Sequence, residues 1–144
     1  MLSSRPDLLW YAAYGSNLDP ARFDVYLYGG RPPGGSRDYP GTRDADAALE
    51  TRATELPGEV VFGWDSPTWG GGVAFFDAEE SGTVPATAYL LTARQFSDVV
   101  DQEMWRSPGS DHDLSEVLAT GAVRWDLVGT RRCTGWGTWT VIPC

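Results

Sequence analysis

Leu8-Leu9-Trp10-Tyr11-Ala12-Ala13-Tyr14-Gly15-Ser16-Asn17-Leu18-Asp19-Pro20 decides the fold of this chain. Its first six residues are apolar and rich in aromatics, as a buried strand is. Asp19 suits a helix N-cap, and Pro20 suits the first helical position. Between them Tyr14-Gly15-Ser16-Asn17-Leu18 must turn the chain from strand to helix. Such a turn leaves backbone N–H groups without intrahelical partners beside the positive end of a helix dipole. A carboxylate or a developing oxyanion suits that position.

The strand pattern continues outward from this turn. Segments 50–56 and 59–64 flank Pro57-Gly58, a turn dipeptide that predicts a hairpin. Segments 73–76, 84–91, 123–128 and 136–142 read as further strands, and 20–28, 93–105 and 112–120 as helices. Short strands with few helices predict an α+β domain built on a strongly curved, barrel-like sheet. Residues 1–7 read as a flexible tail and 8–144 as one domain. Residues 29–43 hold too much Gly and Pro for regular structure. A loop of that length is usually a functional lid or a disordered insert. Arg31, Arg37 and Arg43 stand out there, with local salt bridges as the plainer explanation.

Composition narrows the function. The 144 residues are 42% hydrophobic and 22% charged, with a formal net charge of −9. Nucleic acid and anionic membrane both need a cationic footprint, so neither is the expected partner. The N-terminus lacks a signal-peptide layout and no apolar run is long enough to span a bilayer, which makes the cytoplasm the default location. Cys133 and Cys144 fit reduced thiols. One histidine, His112, and no paired Cys or His ligands argue against a zinc-dependent deacetylase or protease. His112, between two aspartates, reads as a solvated surface residue, and Asp111 as the N-cap of the helix after it.

One carboxylate breaks the pattern of its helix. Thr92 and Gln95 form a capping-box signature that fixes the helix start. Phe96, Val99, Val100 and Met104 then make one apolar stripe, and Glu103 falls near its middle. An unpaired buried carboxylate costs several kcal/mol, so Glu103 must be protonated, hold a partner or line a polar cavity. Each of these shifts its pKa toward the range useful for acid–base chemistry. The plain alternative ends the helix at Asp101 or Gln102 and leaves Glu103 in solvent.

Together these segments resemble the γ-glutamylcyclotransferase-like family. The resemblance rests on Tyr14-Gly15-Ser16-Asn17-Leu18 after the first strand, on Trp69-Gly70-Gly71-Gly72-Val73-Ala74, and on a strand–helix unit ending in Val100-Asp101-Gln102-Glu103. It implies an α+β fold with a small, mixed, barrel-like β-sheet and flanking helices, and a cofactor-free enzyme that cyclises a γ-glutamyl amine to 5-oxoproline and releases the amine. Glu103 would be the general acid/base. Backbone donors of Gly15, Ser16, Asn17 and Leu18, with Tyr14, Gly71 and Gly72, would hold the small-molecule substrate. The rival expectation is a non-catalytic module that uses the same site to bind a small metabolite or a peptide terminus.

Overall fold

The computed structural model describes residues 8–65, 72–77, 79–115, 122–124 and 138–143. Strand β1 (Leu8–Ala13) leads through a 3-10 turn (Ser16–Leu18) into helix α1 (Pro20–Tyr28). Asp19 caps that helix, its side chain accepting from the Ala21 amide at 3.0 Å, and Pro20 sits in the first turn. The strand–turn–helix reading of the opening segment therefore holds.

Strands β2 (Glu50–Pro57), β3 (Glu59–Asp65), β4 (Gly72–Asp77) and β5 (Thr83–Thr92) follow, then helix α2 (Ala93–Glu103), β6 (Ala122–Arg124) and β7 (Thr138–Pro143). Most of the helix expected over 112–120, and the ends of the last two expected strands, lie outside the described residues.

The fold is a small α+β arrangement of two antiparallel sheets, with strand order β2-β5-β1-β7-β6 in one and β3-β4 in the other. Every pairing among the described strands is antiparallel, and no pairing closes either sheet on itself. The expected mixed, barrel-like sheet is corrected to that extent.

Pro57-Gly58 does not close a hairpin. β2 pairs along its whole length with β5, and β3 pairs with β4, so the dipeptide marks a bend in one long two-stranded ribbon. At the bend the Gly58 amide donates to Gly82 O at 3.0 Å. Gly58 has φ +144, and a Cβ there would lie 2.5 Å from Asp77 O and 2.7 Å from the Phe76 ring. The expected turn is therefore corrected: Pro57 ends β2 and Gly58 bends the chain into β3, and which strands pair depends on distant partners.

Alternation along β1 divides the core. Leu9, Tyr11 and Ala13 face the helices and pack with Phe23, Leu27, Tyr89, Leu91, Phe96, Val99, Val100 and Met104. Ala12 faces the other way, with Leu56, Val84 and Ala86, and the ribbon covers that side through Val60 and Phe76. Aromatic contacts dominate the first layer, with Phe23 and Tyr89 stacked at 3.9 Å and Tyr11 and Phe23 at 5.3 Å.

The loop over 29–43 is neither a free lid nor disordered: α1 and α2 hold it. Gly30 and Tyr39 bridge each other, the Thr42 amide donates to Leu27 O at 3.0 Å, and the Gly41 amide donates to Gln102 Oε1 at 3.0 Å. Gly41 passes so close to Gly29 that a Cβ would sit 2.6 Å from the Gly29 nitrogen. Arg43 reaches Asp98, whose side chain is fully buried, at 2.8 Å, and Asp111 at 2.6 Å. Arg31 pairs with Asp38 at 2.9 Å. Arg31 thus makes the local ion pair that the plainer explanation expected, while Arg43 reaches distant partners and ties the loop to α2.

Gly58→Ala is expected to lower stability by about 1–3 kcal/mol, because the bend needs both the positive φ and the missing Cβ. Urea unfolding checks this, and an unchanged midpoint would show that the ribbon bend is not constrained there.

Candidate functional site

Helix α2 delivers Glu103 to the end of the apolar stripe. The capping box forms in full: Gln95 N donates to Thr92 Oγ1 at 3.1 Å, and Thr92 N donates to Gln95 Oε1 at 3.0 Å. From that start the helix runs through Glu103, so the alternative that ended it earlier and freed the carboxylate is set aside. Phe96, Val99, Val100 and Met104 all lie in the core.

The helix ends in a Schellman closure. Arg106 N donates to Asp101 O at 2.7 Å, and Trp105 N donates to Gln102 O at 3.1 Å. The left-handed position that usually takes glycine is occupied by Trp105, at φ +60. A non-glycine residue there costs roughly 1–2 kcal/mol.

Glu103 is partly buried and meets side chains from three other elements. Asn17 Nδ2, from the turn, donates to its Oε1 at 3.2 Å, and Tyr11 Oη, from β1, donates to the same oxygen at 3.4 Å. Asn17 Nδ2 also lies 3.3 Å from Tyr11 Oη. Tyr26, from α1, supplies a further hydrogen bond to the carboxylate. The Tyr11 contact is longer than the roughly 2.5–3.0 Å of an ordinary O–H···O hydrogen bond, so that contact is a loose one. Sites that tighten on a ligand often look this way when empty.

Burial pushes the Glu103 carboxyl up to about 7. Hydrogen bonds from Tyr11, Tyr26 and Asn17 and the positive charge of Arg37 pull in the other direction and do not cancel it. The C-terminal end of the helix dipole acts with burial, since it disfavours an added negative charge. The effect is mutual. Tyr11 and Tyr26 are raised well above the ordinary tyrosine value, first by burial and then by the Glu103 charge, and burial also raises Tyr14. The result is a carboxyl that titrates near neutrality among phenols that stay protonated.

The loop 14–18 contributes differently from the expectation. Asn17 acts through its buried side chain rather than its amide. The Leu18 amide is taken by Gly15 O at 3.0 Å, so it is not available to a ligand. The carbonyls of Asn17 and Leu18 accept from Tyr89 Oη at 2.7 Å and Thr87 Oγ1 at 2.8 Å, which fixes the turn to β5. Gly15 has φ −110, outside the left-handed region, so a positive φ is not what the turn needs from that glycine. Ser16 and Leu18 are exposed, and the Tyr14 ring packs on Phe76 at 5.5 Å. Gly72 opens β4 opposite Asp65, while Gly71 lies outside the described residues.

Tyr11 and Tyr26 were not singled out in the sequence. The signal existed: Tyr11 alternates in phase with Leu9, and Tyr26 lies three residues after Phe23 on the buried face of α1. His112 also differs from expectation. It is partly buried, with Nε2 2.8 Å from Asp101 Oδ1 and its amide donating to Ser97 Oγ at 3.0 Å. Asp113 rather than Asp111 accepts from the Ser115 amide, at 2.9 Å, while Asp111 serves Arg43. The ribbon bend holds a separate cleft of about 370 Å³ lined by residues 58–60 and 81–85, none of which belongs to the Glu103 cluster.

No family model matches the chain, and no solved structure matches it. The chain is similar to Histone deacetylase 5 of Arabidopsis thaliana, 34% identical over 115 residues that make up 77% of this chain. It spans about 17% of the length of that protein. These findings overturn the resemblance to the γ-glutamylcyclotransferase-like family, toward which nothing in them points. The assignment of a γ-glutamylcyclotransferase-like enzyme falls with it, since the enzyme named by the match is of another type. The physical reason is plain: Tyr14–Leu18, Trp69–Ala74 and Val100–Glu103 are short motifs that describe local geometries, and many folds need them.

Glu103 makes stability depend on pH. Its folded pKa of about 7 lies above the ordinary 4.5, so the folded state binds more protons between those values. Stability is then fully present below about pH 4.5 and declines as pH rises through 7, by on the order of 3 kcal/mol. Glu103→Gln should flatten this slope and exceed the wild type in stability at pH 8. Urea unfolding at pH 5 and 8 measures both; parallel curves for the two proteins would contradict the assignment.

Proposed function

We propose that this chain is a small-molecule-binding domain whose site takes an amine-bearing metabolite, with Glu103 as the group that faces the amine. The observation that carries the reading is a partly buried carboxylate met by the uncharged side chains of Tyr11, Tyr26 and Asn17, with burial pushing its pKa up to about 7. An ammonium group can give it a charge-assisted hydrogen bond, which is about twice as strong as a neutral one.

Burial would make discrimination sharp. An amine satisfies the carboxylate, whereas a ligand lacking one leaves it desolvated and unpaired. The deacetylase named by the comparison is not proposed for this chain. The match covers a small part of that protein, and among the described residues no group of His, Cys, Asp and Glu is placed to hold a metal ion.

The test is an NMR titration of the full chain with small amines, amino acids and simple γ-glutamyl amines, among them L-glutamine. Saturable shifts at the Asn17 side-chain amide are expected, with affinity rising from pH 6 to pH 8 as Glu103 ionises. Glu103→Gln should weaken binding at least tenfold. An absence of saturable binding overturns the proposal. So does release of 5-oxoproline that Glu103→Gln abolishes, which would put acid–base turnover in place of binding.

A further inference from the structure

Arg37 is the loop arginine without a local ion pair: among the described residues no carboxylate lies within 4.0 Å of it. Its guanidinium carbon instead lies 5.0 Å from the centroid of the Tyr39 ring and 4.9 Å from that of Trp105. Both rings lead to Glu103. Tyr39 packs on Tyr26 at 4.7 Å, and Tyr26 hydrogen-bonds the Glu103 carboxylate. Trp105 lies two residues beyond Glu103 on the closing turn of α2. The Arg37 charge is felt at Glu103, which it helps to ionise.

Two features of Trp105 call for a reason. It holds the left-handed position that costs a non-glycine residue free energy, and it is 51% exposed. A side chain placed at that cost and half out of the core is not there for packing alone. What it does touch is Arg37. A guanidinium held over aromatic faces carries its N–H donors in its own plane, and that planar fork matches a carboxylate in bidentate fashion.

We propose that Arg37, held by Tyr39 and Trp105, is the anion anchor of the Glu103 site and binds a carboxylate of the same ligand whose amine faces Glu103. The inference rests on the binding reading above and narrows its ligand to molecules that carry both groups. The loop over 29–43 then has a role that its pinning to α2 explains: fixing the separation between Arg37 and Glu103. Gly41 N to Gln102 Oε1 and Arg43 to Asp98 tie the arm that bears Arg37 to the helix that bears Glu103.

L-glutamine and its carboxyl amide, L-glutaminamide, differ at the group in question and serve as probes. The wild type should bind L-glutamine at least tenfold more tightly. Arg37→Ala should bring L-glutamine down to the level of L-glutaminamide, so that the preference is lost even where reduced ionisation of Glu103 weakens both probes together, and Arg37→Lys should recover only part of the preference. Trp105→Gly removes the ring and relieves the backbone, so it should fold at least as well as the wild type and still lose preference. Glu103→Gln should weaken both probes. A preference that survives Arg37→Ala or Trp105→Gly overturns the anchor and leaves the binding reading intact. If neither probe binds the wild type, the binding reading fails and takes the anchor with it.

Discussion

The Glu103 carboxylate is the constraint around which this structure is organised. It stands at the end of a helix that is buried on nearly every side, and β1, α1 and the turn between them each send it one polar side chain. Tyr11, Tyr26 and Asn17 are themselves deep in the aromatic layer, and none is charged. Neutral donors relieve part of the desolvation cost of a carboxylate but do not neutralise it, which is why the group titrates near 7 instead of being locked as an anion by an adjacent cation. A close arginine or lysine would have made a structural ion pair. Its absence from the immediate contacts leaves a proton-exchanging group.

The rest of α2 shows the contrasting treatment. Asp98 is also buried, but Arg43 and its amide meet it with short hydrogen bonds. Asp101 meets His112, and Gln95 and Gln102 satisfy backbone groups of the crossing loop. These polar residues do for the outer faces of the helix what Phe96, Val99 and Val100 do for the inner one: each covers a surface with a matched partner. Among the described residues no buried side-chain polar atom is left without a hydrogen bond. One helix thus carries Asp98, which holds the loop through Arg43, Asp101, which meets His112, and at its end Glu103, met by uncharged donors.

Where features were written locally, the sequence was legible. Asp19 with Pro20 and Thr92 with Gln95 marked both helix starts, because a cap involves residues only a few positions apart. The stripe through Val99, Val100 and Met104 placed Glu103 on the buried face for the same reason. Features that depend on distant partners were not legible. Pro57-Gly58 looks the same in sequence whether it closes a hairpin or bends a ribbon, and only the pairing of β2 with β5 distinguishes them. Asp101 and His112 give no local sign that they meet, nor does Arg37 show that Tyr39 and Trp105 will receive it. The family reading failed at the same boundary, since it took a local strand–turn–helix motif as evidence for a whole fold and its chemistry.

All of this depends on the ionisation of one side chain, which carbon-detected NMR can follow directly. With the glutamate side-chain carboxyl carbons labelled and Glu103 assigned by comparison with Glu103→Gln, its titration should have a midpoint near 7, well above the ordinary glutamate value of 4.5. A Glu103 resonance with its midpoint at that ordinary value would contradict the account, for it would mean that the carboxylate is hydrated and the site around it is not formed.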